Sequence, residues 1–259
     1  MKLKATSTLA LTALLASLPA LAQTAAPAPD YTISYNAGIT TDYRFRGISQ
    51  TSTKPALQLG ADFTHKDGFY LGAWGSNVSW IKDYVGATKG SLELDLYGGY
   101  RGDTGMGVTY DLGLITYQYP SNTAGKVPGF ANANTTEVYG AVTYSIVTAK
   151  YSRSLTNFIA NANSKGSQYL EVAANFDLGN GFTVTPHVGR QTIPNVMANA
   201  GNYTDYSVTL GKDFGNGLSA SVAAIGTNTN IASKAFYSEP NGGRFLGKDA
   251  LVVGVKYSF

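Results

Sequence analysis

Cysteine is absent from all 259 residues, which excludes a disulfide framework, a thiolate nucleophile and any Cys-based metal site. Histidine occurs only twice. His65 falls in a short turn and His187 on the polar side of a strand, and no local His/Ser pairing marks either as a catalytic base. Charged residues make up 14% of the chain, against about a quarter in soluble proteins. No apolar run of about twenty residues follows the N-terminal leader, so the chain does not read as a helical membrane protein. Walker-type and dinucleotide-type glycine loops are missing, as are EF-hand and His-x-x-x-His spacings. No enzyme activity, cofactor or metal is therefore expected. The formal charge of +3 includes Lys2 and Lys4 of the leader, so the remainder is close to neutral and carries no nucleic-acid footprint.

What the chain does have is aromatic residues and glycine: 18 Tyr, 11 Phe and 30 Gly. From Tyr31 to Arg46 the odd positions are mostly apolar or aromatic (Tyr31, Ile33, Tyr35, Ile39, Tyr43, Phe45), while the even ones are polar and end charged. A period of two means a β-strand, with alternate side chains on opposite faces. Its length exceeds the usual five or six residues and suits a tilted strand crossing a bilayer, which needs about nine to eleven. Every second residue facing lipid and its neighbour facing a wet interior also explains a mean hydropathy of only -0.07.

Residues 1–22 carry the marks of a cleaved secretory signal peptide: Lys2 and Lys4, an apolar stretch from Leu9 to Leu18, and Ala20-Leu21-Ala22 before Gln23. Residues 23–30, rich in Ala and Pro, make a short disordered lead. Residues 31–259 then repeat the two-residue alternation through about twelve strands. Phe69–Trp80 has ambiguous parity, and the turn near Ile146–Thr148 has the weakest turn chemistry. Connections alternate between short turns, such as the Asn-Gly pairs at Asn180-Gly181 and Asn216-Gly217, and long loops, the longest being residues 227–247. These features predict an all-β, up-and-down antiparallel transmembrane barrel of about twelve strands, with both termini periplasmic, in the outer membrane of a Gram-negative bacterium. Outer-face aromatics beside the short turns, among them Phe69, Tyr100, Tyr144, Phe176 and Phe214, form the expected interfacial girdle. Arg153, Arg190 and Lys212 fall on the outer face near strand ends, where long cations snorkel to headgroups.

By parity the inner face carries Asp42, Asp62, Glu93, Asp95, Asp111, Glu137, Glu171 and Asp205 against Arg44, Arg46, Lys150 and Lys256, with Asn36 and His187. Eight acids against four bases predict a mildly cation-favouring lumen. Asp42, Arg44 and Arg46, spaced by two, form a charged constriction if acids such as Asp62, Glu93 or Asp95 interleave with the guanidiniums. Three functions follow in order: a passive channel for small hydrophilic solutes or ions; a non-conducting structural or receptor barrel with a charge-networked or loop-plugged lumen; and, last, an outer-membrane enzyme. The lipid partner is the outer membrane itself, with lipopolysaccharide at Arg153 and Arg190.

The stretches TDYRFRG (Thr41 to Gly47) and LELDLYGGY (Leu92 to Tyr100), with the terminal Val255-Lys256-Tyr257-Ser258-Phe259, resemble the TorF family of porins, proteobacterial conserved proteins of uncertain function. The resemblance spans essentially the whole chain beyond the leader. It implies an outer-membrane barrel without catalytic residues. Val255, Tyr257 and Phe259 also resemble the general signal read by the barrel-assembly machinery.

Overall fold

The computed structural model describes residues 29–229 and 233–259, so the signal-peptide expectation for residues 1–22 and that of a disordered lead over residues 23–28 lie outside the described residues. Twelve strands close into one antiparallel barrel. The first six are β1 (Tyr31–Thr40), β2 (Ala56–His65), β3 (Phe69–Asn77), β4 (Leu92–Asp103), β5 (Val108–Gln118) and β6 (Thr135–Tyr144). Then come β7 (Val147–Ser154), β8 (Gln168–Ala174, continued past Asn175 by Phe176–Gly179), β9 (Phe182–Thr192), β10 (Tyr203–Gly215), β11 (Leu218–Thr227) and β12 (Ala250–Ser258). Each strand pairs with its sequence neighbours, and β1 pairs with β12 through registers such as Ala37↔Tyr257, which leaves no open edge.

The alternation sorts the side chains as a bilayer requires. Ile33, Leu57, Leu71, Leu112 and Val208 are each more than half exposed, far more apolar surface than a soluble monomer presents in one belt. At the short-turn end the belt is rimmed by exposed Phe69, Tyr144, Phe214, Tyr257 and Phe259. Tyr35 and Tyr257 each stack on Phe259 at 5.9 Å, which fastens the last residue to the closing seam.

On the inner face several tyrosine rings lie against glycines of a neighbouring strand: Tyr70 on Gly99, Tyr139 on Gly113 and Tyr169 on Gly189. A Cβ at Gly189 would collide with the Tyr169 ring, whose hydroxyl serves Asp205. Gly189→Val is therefore expected to lower barrel stability by about 1–3 kcal/mol through overpacking, measured as a drop in the denaturant midpoint of the detergent-solubilised barrel.

The structure corrects the strand boundaries in three places. β1 ends at Thr40, not near Arg46. β3 ends at Asn77 rather than Trp80, with Phe69 and Leu71 outward and Tyr70 buried, and Trp80–Asp83 forms a one-turn helix whose Trp80 and Ile81 are buried. The tight turn between β6 and β7 is Ser145-Ile146, flanked by the pair Tyr144↔Val147, with Ser145 at φ 54°.

Candidate functional site

After Thr40 the chain leaves the wall and folds into the barrel. Arg44–Phe45 and Ile48–Ser49 pair as a small inner hairpin, with Phe45 opposite Ile48. The two residues between them, Arg46 and Gly47, have φ of 48° and 80°, the double positive φ of a type I′ turn. Gly47 is needed here for space as well: a Cβ would run into the side chains of Thr227 and Asp205. Tyr43 and Phe45, whose odd positions suggested the lipid face, instead pack against buried Tyr117, Tyr119 and Trp80 in the interior. The alternation persists past Thr40 because a hairpin arm lying on an apolar surface has the same period as a wall strand.

Asp42 anchors the start of the hairpin. Its carboxylate accepts from Arg44 Nε at 2.7 Å, Ser49 Oγ at 2.6 Å and Thr51 Oγ1 at 3.3 Å. Arg44 also donates through Nη1 to the carbonyls of Gly47 (2.9 Å), Leu246 (3.3 Å) and Lys248 (2.8 Å), clasping the hairpin to the loop before β12. Its Nη2 is buried with no partner.

Arg46 reaches the opposite wall. Its guanidinium grips Glu137 of β6 in a two-point contact, at 3.2 Å and 2.6 Å, and donates to Gln191 of β9 at 2.8 Å. It is sandwiched by the rings of Phe45, Phe158 and Tyr169, 4.7, 5.4 and 4.2 Å from their centres. Burial is the largest single influence and would lower its pKa, but the charge and hydrogen bonds of Glu137, with Tyr117 and Tyr203 nearby, together hold it above the usual guanidinium value. The acids expected to interleave with the two arginines were Asp62, Glu93 and Asp95; the actual partners are Asp42 and Glu137, because the hairpin spans the lumen rather than following the wall.

The remaining inner-face residues fall into three groups. Around β7 to β10, His187 lies between Glu171 (3.1 Å) and Asp205 (3.6 Å), Tyr169 donates to Asp205, and Lys150 Nζ sits 4.3 Å from the centre of the Tyr139 ring. Toward the short-turn end, Asp111 binds Arg101 at 3.0 Å and Asp62 accepts from Tyr97 at 2.6 Å. Glu93 accepts from Tyr43 at 3.2 Å, yet Glu93 Oε2 and Asp95 Oδ1 are buried without partners. Asn36 and Lys256 line an open cavity. Sequence parity overlooked Arg101, an inner-face base opposite Asp111 in register, as well as Gln191 and Tyr117, which complete the Glu137 site.

Above the hairpin, the long-loop end is filled by two apolar clusters. One joins Val78, Trp80, Ile81 and Val85 to Tyr117 and Tyr119; the other joins Ile48 and Tyr203 to Tyr237 and Leu246 of the last long loop. Space remains beside them. A cavity of about 660 Å³ runs along the inner wall of β1, β11 and β12, and another of about 560 Å³ opens by Arg244, Lys248 and Asp249. Asp42 and Arg44 line both. A third, about 290 Å³, lies over Glu171, His187 and Asp205 and is bounded by Phe45, Arg46 and Gly47. No cluster of three metal-binding side chains occurs among the described residues.

This closed barrel with an inner hairpin can be set against known proteins. Residues 24–259 match the family model Gcw_chp, described as a bacterial protein of unknown function. The chain belongs to the Gcw_chp family. No curated protein matches it in sequence. In fold, this Gcw_chp barrel is similar to a KdgM porin solved in complex with disordered oligogalacturonate, with a TM-score of 0.53 at 10% identity over 88% of this chain and 98% of that one. It is similar also to the NanC porin, with a TM-score of 0.52 at 7% identity over 88% and 99%. The Gcw_chp chain thus has the porin-like barrel fold.

Proposed function

We propose that the barrel is a passive outer-membrane channel for small hydrophilic solutes or ions, working without a chemical step or cofactor. The observation that carries this is the pair of cavities, one at the long-loop mouth and one in the lumen, that meet at Asp42 and Arg44. The porin-like fold supports it, as does the TorF resemblance of the Thr41–Gly47 and Leu92–Tyr100 stretches. Oligogalacturonate is a ligand of the KdgM porin, and nothing so large is assigned to this barrel. In the same proposal the termini lie on the periplasmic side, lipopolysaccharide meets exposed Arg153 and Arg190 at the outer rim, and the assembly machinery reads Val255, Tyr257 and Phe259.

The apolar clusters favour a second function, a closed structural or receptor barrel. Single-channel recording of the purified protein in planar bilayers separates the two. Discrete conductance steps are the expected result; a correctly folded barrel that gives none is the closed form. In liposome swelling, shortening residues 227–247 is expected to speed uptake of small sugars, since this loop supplies Tyr237 and Leu246 to the cap.

A further inference from the structure

We propose that the solute route follows the β1–β12 wall past Arg44, and that it favours small anions over cations although the interior as a whole is richer in acids. This rests on the channel function proposed above and names the solute class. The acid excess disappears from the route once partners are assigned and Asp213, which lines the lumen cavity, is set against Lys212 beside it. Glu137 is neutralised by Arg46 across the lumen, and Glu171 and Asp205 surround His187 in the chamber behind the hairpin. Glu93 and Asp95 are buried to 1% and 7% exposure, with Tyr43 bonded to Glu93. Asp42 is on the route, but its oxygens are occupied by Arg44, Ser49 and Thr51, so little of its charge is available to a passing cation.

The cations beside the route are differently placed. Arg244 and Lys248 line the mouth with Asp249, and Lys256 lines the lumen below. Among the described residues none of these three cations is in an ion pair. Between mouth and lumen stands Arg44, which lines the cavities on both sides. Its side chain is 3% exposed, and among the described residues its Nη2 is the one cationic donor buried without a partner. An anion shedding part of its hydration at this neck gains a charge-assisted hydrogen bond, stronger than a neutral one. A cation there is offered a donor and no free acceptor, because the Asp42 carboxylate that balances Arg44 already accepts from Arg44, Ser49 and Thr51.

The test is the reversal potential of the purified barrel in a potassium chloride gradient. Wild type is expected to prefer chloride over potassium. Lys248→Glu with Lys256→Glu changes two exposed side chains that make no hydrogen bond or ion pair among the described residues, and is expected to reverse the sign of that preference. Arg44→Lys keeps a cation beside Asp42 but removes the free Nη2, and is expected to reduce chloride preference severalfold while conductance persists. A conducting wild type that prefers potassium or neither ion overturns the inference and leaves the channel standing, as does a double charge reversal without effect. A folded wild type that conducts nothing removes both.

Discussion

Replacing Arg46 with alanine is expected to destabilise the barrel by about 3–5 kcal/mol, the range for removing one partner of a buried ion pair. Glu137 has no exposed side-chain surface and Arg46 only 8%, so solvent screens little of their interaction. The loss would not be that of the attraction alone. Glu137 would remain buried with only Tyr117, at 3.2 Å, to satisfy its charge, and Gln191 would lose its donor. Three aromatic contacts to the guanidinium would also go, each worth about 0.5–2 kcal/mol. Two measurements check this: the denaturant midpoint in detergent, and current noise in bilayers, which rises if the hairpin tip detaches from β6. Arg46→Ala with Glu137→Ala should be less damaging than the sum of the single changes, because no charge is left unpaired. A midpoint unchanged in Arg46→Ala would show that the hairpin is held from the Arg44 side.

The barrel was legible in the sequence because its signal is repeated. Twelve alternating segments, joined by turns such as Asn180-Gly181 and Asn216-Gly217, each restate the same constraint of lipid on one side and polar interior on the other. The inner hairpin had a single copy of its signal, and that copy imitates a wall strand. Tyr43 and Phe45 alternate with Asp42, Arg44 and Arg46 whether the aromatic rings meet lipid or a protein core. Two features could have given it away. Gly47 follows Arg46 where a strand would have no need of positive φ, and two arginines within three residues exceed what a wall strand tolerates without acids alongside. Partner identity was less accessible still. Asp42 lies 2 positions from Arg44 and Glu137 lies 91 from Arg46, in no regular pattern, and only the path of the hairpin across the lumen selects them.

Replacing residues 42–52 with a short Gly-Ser linker is expected to give a folded barrel with a severalfold larger conductance. The excised segment joins two strands that already pair to their ends, Thr40 opposite Ala56, so a few flexible residues can close the gap at modest entropic cost. All twelve wall strands keep their neighbours, which preserves the ladder that holds a barrel in lipid. What is lost is interior. Tyr43 and Phe45 leave the first apolar cluster and Ile48 the second, so the cap loses side chains from both of its halves. The hairpin also separates the lumen cavity from the chamber over His187, since Arg44 borders both, and its removal would join them. Glu137 is freed at the same time, and Glu137→Gln in the shortened chain avoids an unpaired buried carboxylate. If heat-modifiable gel mobility shows this double variant folded and its conductance equals that of the wild type, solutes do not pass the hairpin and the obstruction lies in the long loops above it.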